Sequence, residues 1–129
     1  ALGAFGSPYE PPVISLLRAQ VVWRGERSLE AALTWRCERQ AAVNYLLSLR
    51  LLRPDGSQAA AQDIPPMLGG YPTSLWRPGE LLTDRVILEW PAGEPVSPAY
   101  GLEIVLYDRY TMQAAGATRL LPWEGFGGR

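Results

Sequence analysis

The residues able to do chemistry in this chain are its carboxylates, one thiol and a set of aromatic rings, because histidine and lysine are both absent from its 129 residues. Without histidine there is no Ser-His-Asp or Cys-His constellation, no histidine metal site and no imidazole base at neutral pH. Without lysine there is no Schiff-base chemistry and no phosphate-binding P-loop, and no glycine cluster sits between a strand and a helix to cradle a dinucleotide. Acid-base work by paired carboxylates remains, since a glycosidase needs only two of them, about 5 to 10 Å apart across a sugar. Asp63, Glu80, Asp84 and Asp108 are the candidates. All four read as strand-end or turn positions, where such side chains accept backbone N–H bonds instead. No catalytic residue is nominated, and the chain is not expected to be an enzyme. Loop carboxylates also suit calcium, but no spacing here matches a calcium-binding loop, so neither a metal site nor any other cofactor is expected. Cys37 falls on the inward face of an alternating segment and reads as packing rather than nucleophile.

The aromatic rings offer a different chemistry, because an exposed indole or phenol face suits the apolar face of a pyranose ring. Of the five tryptophans, Trp35 and Trp90 share the inward faces of their strands and belong to the core. Trp76, Tyr71 and Tyr107 are then the candidate ligand-binding residues. Trp76 sits in "GGYPTSLWRPGELLTDR", residues 69–85, too irregular for a helix and too broken for a strand. Its prolines and glycines fix the chain rather than free it, which favours a residue folded back over an open end of the core above one that meets a ligand.

Short alternating segments position these residues. "SLEAALTWRC" sends Leu29, Ala31, Leu33, Trp35 and Cys37 one way and Glu30, Thr34 and Arg36 the other. "AVNYLLSLRLLR" does the same with Val43, Tyr45, Leu47, Leu49 and Leu51 inward, and "RPDGS" after it is a hairpin turn with Pro54, Asp55 and Gly56 in their favoured places. Residues 57–63 return as its partner. "VISLLRAQVVW" predicts a first edge strand, broken near Arg18. "LLTDRVILEW" and "YGLEIVLYD" predict two more strands, with Leu82, Val86, Leu88, Trp90, Tyr100, Leu102, Ile104 and Leu106 inward and Tyr107 outward. A last strand follows near "AGATRLLP".

About seven such strands and no convincing helix predict an all-β, two-sheet antiparallel sandwich of immunoglobulin or fibronectin type III kind, with a small barrel as the competitor. Tyr100 stands where such sandwiches place a corner tyrosine whose hydroxyl bonds to nearby backbone. Asp63, Glu80 and Asp84 are expected to hold the loop between the strands, which must cross from one sheet to the other. The expected domain limits are a linker over 1–12, the sandwich over 13–122 and a flexible tail over 123–129.

Formal net charge is −1, with 12 arginines scattered along the chain, so the basic footprint of a nucleic-acid binder is missing. No apolar run approaches the roughly 20 residues that cross a bilayer, and the first residues lack the regions of a signal peptide. The chain does not begin with methionine, as expected of a piece of a longer polypeptide.

Asp63, Pro65, Gly69, Pro72, Thr73, Trp76, Pro78, Gly79, Glu80 and Asp84, followed by "YGLEIVLYD", resemble the soluble β-sandwich module appended to bacterial multi-pass membrane proteins that are similar to family-39-type glycosyltransferases. The resemblance covers about residues 13–121. "VSPAY" departs from it where a glycine is usual before Tyr100. It implies an extracytoplasmic, non-catalytic domain, attached to a membrane only through its parent chain and contacting a glycan, a lipid-linked sugar or a neighbouring protein. Two functions are expected from different classes: an interaction or spacer domain, and a carbohydrate-binding module using Trp76, Tyr71 and Tyr107.

Overall fold

Alternation of apolar and polar side chains builds two sheets, and the inward halves of those sheets make one core. The computed structural model describes residues 2–7 and 12–120. Its strands are β1 (Gly3–Phe5), β2 (Ile14–Trp23), β3 (Ser28–Cys37), β4 (Tyr45–Leu52), β5 (Gln58–Ile64), β6 (Leu81–Glu89), β7 (Gly101–Asp108) and β8 (Ala114–Arg119). They form two four-stranded antiparallel sheets with orders β1-β2-β3-β6 and β5-β4-β7-β8. The chain passes between sheets at the β3–β4, β5–β6 and β6–β7 connections. The two-sheet antiparallel sandwich is therefore the fold, with eight strands instead of about seven.

Leu29, Leu33, Trp35, Leu47, Leu49, Leu51, Leu102 and Ile104 all face the interior with side chains essentially shut off from water. Burying a leucine or isoleucine in this way stabilises the fold by about 1.5 to 3 kcal/mol relative to leaving it exposed. β6 shows the alternation most plainly, with every even-numbered residue from Leu82 to Leu88 buried and every odd-numbered one exposed. In the β4–β5 hairpin, Asp55 Oδ1 accepts the Ser57 N–H at 2.8 Å and Gly56 takes φ 89°. That is the left-handed position a glycine fills without strain.

Three expectations need correction. The linker expected over 1–12 is in part structure: Gly3–Phe5 pairs with β2 as an additional strand, and Phe5 sits edge-on to Trp35 with ring centroids 5.8 Å apart. A single large apolar side chain between small residues suffices to seat that strand in the core. β2 is consequently not an edge over its first residues, although the break near Arg18 is found as a register shift between Leu16 and Arg18. Asp84 is not at a strand end but within β6, facing inward. The tail expected over 123–129, with residues 121 and 122 of the expected domain, lies outside the described residues.

Candidate functional site

The segment between β5 and β6 closes one end of the sandwich. Thr73 ties it to the β3–β4 connection: its hydroxyl accepts the Tyr45 N–H at 2.9 Å and donates to the Val43 carbonyl at 3.2 Å. Asn44 Oδ1 accepts the Ser74 N–H at 3.1 Å alongside it. The following turn places Trp76 at 1% exposure, its indole N–H donating to the Tyr71 carbonyl at 2.8 Å. The two rings lie 6.5 Å apart. A buried indole with its one donor satisfied is a closure of the core, and the surface it would offer a sugar is turned inward.

Glu80 organises the exit of this segment. Its carboxylate accepts the Tyr71 hydroxyl at 2.7 Å and the Arg77 N–H at 3.0 Å. Those bonds, the backbone one foremost, hold the carboxyl below its ordinary value, and the same contact raises the Tyr71 phenol. The Glu80 carbonyl accepts the Cys37 N–H at 3.0 Å, while Gly79 N–H donates to the Cys37 carbonyl at 2.7 Å, so the segment is stitched to the end of β3. Cys37 itself is buried, its thiol donating to the Arg39 carbonyl at 3.2 Å. Burial first, then Glu80 and Glu38, push that thiol up and keep it protonated.

Asp84 is buried without an opposite charge among its hydrogen-bond partners. Its two oxygens lie 3.0 and 3.1 Å from the Met67 N–H. Burial pushes its carboxyl up, against the pull of Met67 and of the Trp35 indole, which leans on the carboxylate without completing hydrogen-bond geometry of its own. Met67 and Leu68 both adopt left-handed backbone, φ 56° and 55°, a conformation costing about 1 to 2 kcal/mol for a residue with a side chain. Asp84 thus caps a strained turn from inside the sandwich.

The other nominated residues lie apart from this cluster. Tyr107 points outward from β7 as its place in the alternation requires, yet it is only 6% exposed. Its phenol is raised by burial and by Asp63, which stands two strands away on β5. It is therefore not a free aromatic face, a correction that its 6% exposure and its contact with Asp63 across the sheet require. Asp63 is exposed apart from that contact. Asp108 caps the β7–β8 turn, accepting the Tyr110 N–H at 2.8 Å. Tyr100 is buried at the opposite end of the sandwich, and its hydroxyl donates to the Glu94 carboxylate rather than to backbone. Arg53 holds the same carboxylate at 2.7 Å, and Tyr100 first, then Arg53, keep it below its usual range. Tyr71 and Trp76 are thus brought together, and Tyr107 is not brought to them.

Thr73, Asn44, Arg53 and Glu94 escape a reading of the sequence. The Thr73–Tyr45, Asn44–Ser74 and Arg53–Glu94 bonds join residues 28 to 41 apart, and a lone threonine or arginine carries no period that announces such a bond. Among the described residues no group of three His, Cys, Asp or Glu is placed to hold a metal ion.

No protein-family model matches the chain, and no curated protein matches its sequence. Solved structures do. A domain of the outer membrane lipoprotein Omp28 from Porphyromonas gingivalis superposes with a TM-score of 0.52 at 10% identity, over 84% of this chain and 94% of that one. A calcium-binding mutant of Bacteroides uniformis β-glucuronidase 2 is similar at a TM-score of 0.46 and 19% identity, over 83% of this chain but 12% of that one. A β-glucuronidase from glycoside hydrolase family 2 gives 0.43 and 12%, over 87% and 11%. The Omp28 likeness is one of fold, a small all-β domain. None of these neighbours links the chain to family-39-type glycosyltransferases.

Proposed function

We propose that this chain is a non-catalytic interaction or spacer module of a larger extracytoplasmic, membrane-associated protein. One observation carries the reading: Trp76, the residue best suited to meet a ligand, is 1% exposed and has its only donor bonded to Tyr71. The segment most irregular in sequence is thereby a structural closure, and the carboxylates around it cap backbone N–H groups. The likeness to a domain of an outer membrane lipoprotein is compatible with an extracytoplasmic setting. No helix among the described residues is long and apolar enough to cross a membrane, which fits attachment through a parent chain. That the parent is a multi-pass protein resembling family-39-type glycosyltransferases rests on the sequence motif from Asp63 to Asp84 and the following "YGLEIVLYD" alone.

The test is a glycan array together with tryptophan-fluorescence titration of oligosaccharides and assays on glycoside and ester substrates. No saturable response and no turnover are expected. Saturable binding of any one saccharide replaces this reading with a carbohydrate-binding module, and turnover removes the non-catalytic assignment.

A further inference from the structure

Hydrogen bonding along β6 exposes one open sheet edge. At one end of the β3–β6 ladder the Cys37 N–H donates to the Glu80 carbonyl at 3.0 Å, and at the other the Trp90 N–H donates to the Arg27 carbonyl at 2.6 Å. In an antiparallel pair successive residues turn their backbone groups alternately toward and away from the partner strand. Leu82, Asp84, Val86 and Leu88 therefore bond toward β3, and Thr83, Arg85, Ile87 and Glu89 present their N–H and C=O groups to the far side. β6 is the last strand of its sheet, and these four residues are exposed, with no backbone partner on that side among the described residues.

The remaining edges are short or broken in register, whereas β6, although it carries exposed Arg85 and Glu89 and the inward Asp84, is long and unbroken. β1 has three residues and lies against β8, where the Gly6 N–H donates to the Ala115 carbonyl at 3.0 Å. β8 is interrupted by a register shift. β5 has a register shift too, carries exposed Gln58, Gln62 and Asp63, and runs into Pro65 and Pro66. β6 keeps one register with β3 over its whole nine-residue length, contains neither proline nor glycine, and leaves Ile87 49% exposed. A long regular edge of this kind is a template for another strand.

We propose that β6 pairs antiparallel with β6 of a second copy of this chain, Ile87 against Ile87 and Arg85 against Glu89, so that two sheets become one. The side chains choose both occupant and register. Pairing about Arg85 would oppose two arginines, and pairing about Val86 would set Arg85 against Ile87. Pairing about Ile87 puts an apolar contact at the twofold axis and an opposite-charge pair on each side of it, the arrangement that stabilises cross-strand neighbours. Arg85 and Glu89 each also contact β3 on that face, Arg85 through Glu30 at 3.2 Å and Glu89 through the Ser28 hydroxyl at 2.9 Å, so pairing would extend those contacts outward. Val22 and Ile87 flank Glu30 in one cross-strand row, so the joined sheet would continue that row across the axis. Pro91, without an N–H, ends the ladder opposite Thr83.

This inference rests on the reading of the chain as an interaction module, and its test separates the two. Sedimentation equilibrium of the whole chain is expected to show a reversible, concentration-dependent dimer. Arg85→Glu and Glu89→Arg alone each place like charges across the axis and are expected to weaken it about tenfold or more; the double reversal restores it. Ile87→Pro removes a donor that β3 does not use, so it is expected to abolish the dimer with little change in melting temperature. Amide exchange at Arg85, Ile87 and Glu89 slows as concentration rises. A chain that stays monomeric at every concentration, a dimer indifferent to these charges, or a β6 edge that accepts only a strand of another protein overturns the pairing. None of those results touches the glycan and turnover assays on which the module reading stands.

Discussion

Replacing Trp76 with alanine tests whether the β5–β6 segment is a closure of the core. A tryptophan buries about 150 to 250 Å², and at about 25 cal/mol per Å² its full removal from water is worth ~4–6 kcal/mol. Trp76 is 1% exposed, so nearly all of that area is at stake. It lies at the end of the sandwich, however, where the segment can settle into part of the space left behind. The expected loss is therefore about 2 to 4 kcal/mol, at and below the lower part of the range for large aromatic truncations. Trp76→Phe separates the two contributions: it keeps most of the ring and leaves the Tyr71 carbonyl without its 2.8 Å donor, for an expected cost of about 1 to 2 kcal/mol. Urea unfolding followed by far-ultraviolet circular dichroism measures both without relying on the fluorophore being removed. An alanine variant with an unchanged midpoint and slope would mean that Trp76 closes nothing, and the ligand-facing role would have to be reopened.

Three further outcomes follow from the same contacts. Leu68 holds φ 55° while 78% exposed, so Leu68→Gly is expected to raise stability by about 0.5 to 1 kcal/mol, relief of backbone strain outweighing the glycine's added entropy; a lower urea midpoint refutes it. Burial raises the Asp84 carboxyl above 3.8, so its contribution is intact below that value and is lost as pH rises through the higher folded one. Asp84→Asn keeps an acceptor for Met67, and thermal melts across the acid range are expected to show the mutant gaining on the wild type as pH rises; a constant gap refutes the assignment. Cys37 is expected to react with a disulfide reagent far more slowly in the native chain than in urea, because burial both hides the thiol and keeps it protonated, and equal rates would show that β3 frays at that end.

Sequence periodicity made the sheets legible wherever a strand was long enough to show it. Leu47, Leu49, Leu51, Leu102, Ile104 and Leu106 are all inward as their spacing predicts, because a two-residue period admits one solution once one face is buried. β1 was not legible: three residues show no period, and prolines follow it closely. Tyr107 shows a second kind of limit. Alternation gives the direction of its side chain correctly, but its burial and its contact with Asp63 on β5, two strands away, are not encoded in that alternation. Asp84 shows a third, since an aspartate between Thr83 and Arg85 looks like a polar turn, and the Met67 N–H and the Trp35 indole that meet its inward carboxylate come from distant parts of the chain. Around Trp76, the irregular backbone was readable from prolines and glycines, and the crossing it makes between sheets is found. Its anchors, Thr73 and Asn44, depend on long-range partners that no local pattern encodes.

Strand β1 has a mechanical meaning. Gly3 packs so closely on Thr118 that a methyl group at residue 3 would fall on the threonine hydroxyl, so the first and last strands run side by side and in opposite senses. Among the described residues that seam carries one backbone bond, Gly6 N–H to the Ala115 carbonyl, so tension applied through residues 3 and 118 would draw the two sheets apart at this edge without a ladder between β1 and β8 to resist it. Packing alone, chiefly Phe5 against Trp35 and Gly3 against Thr118, would hold the two sheets together along that edge.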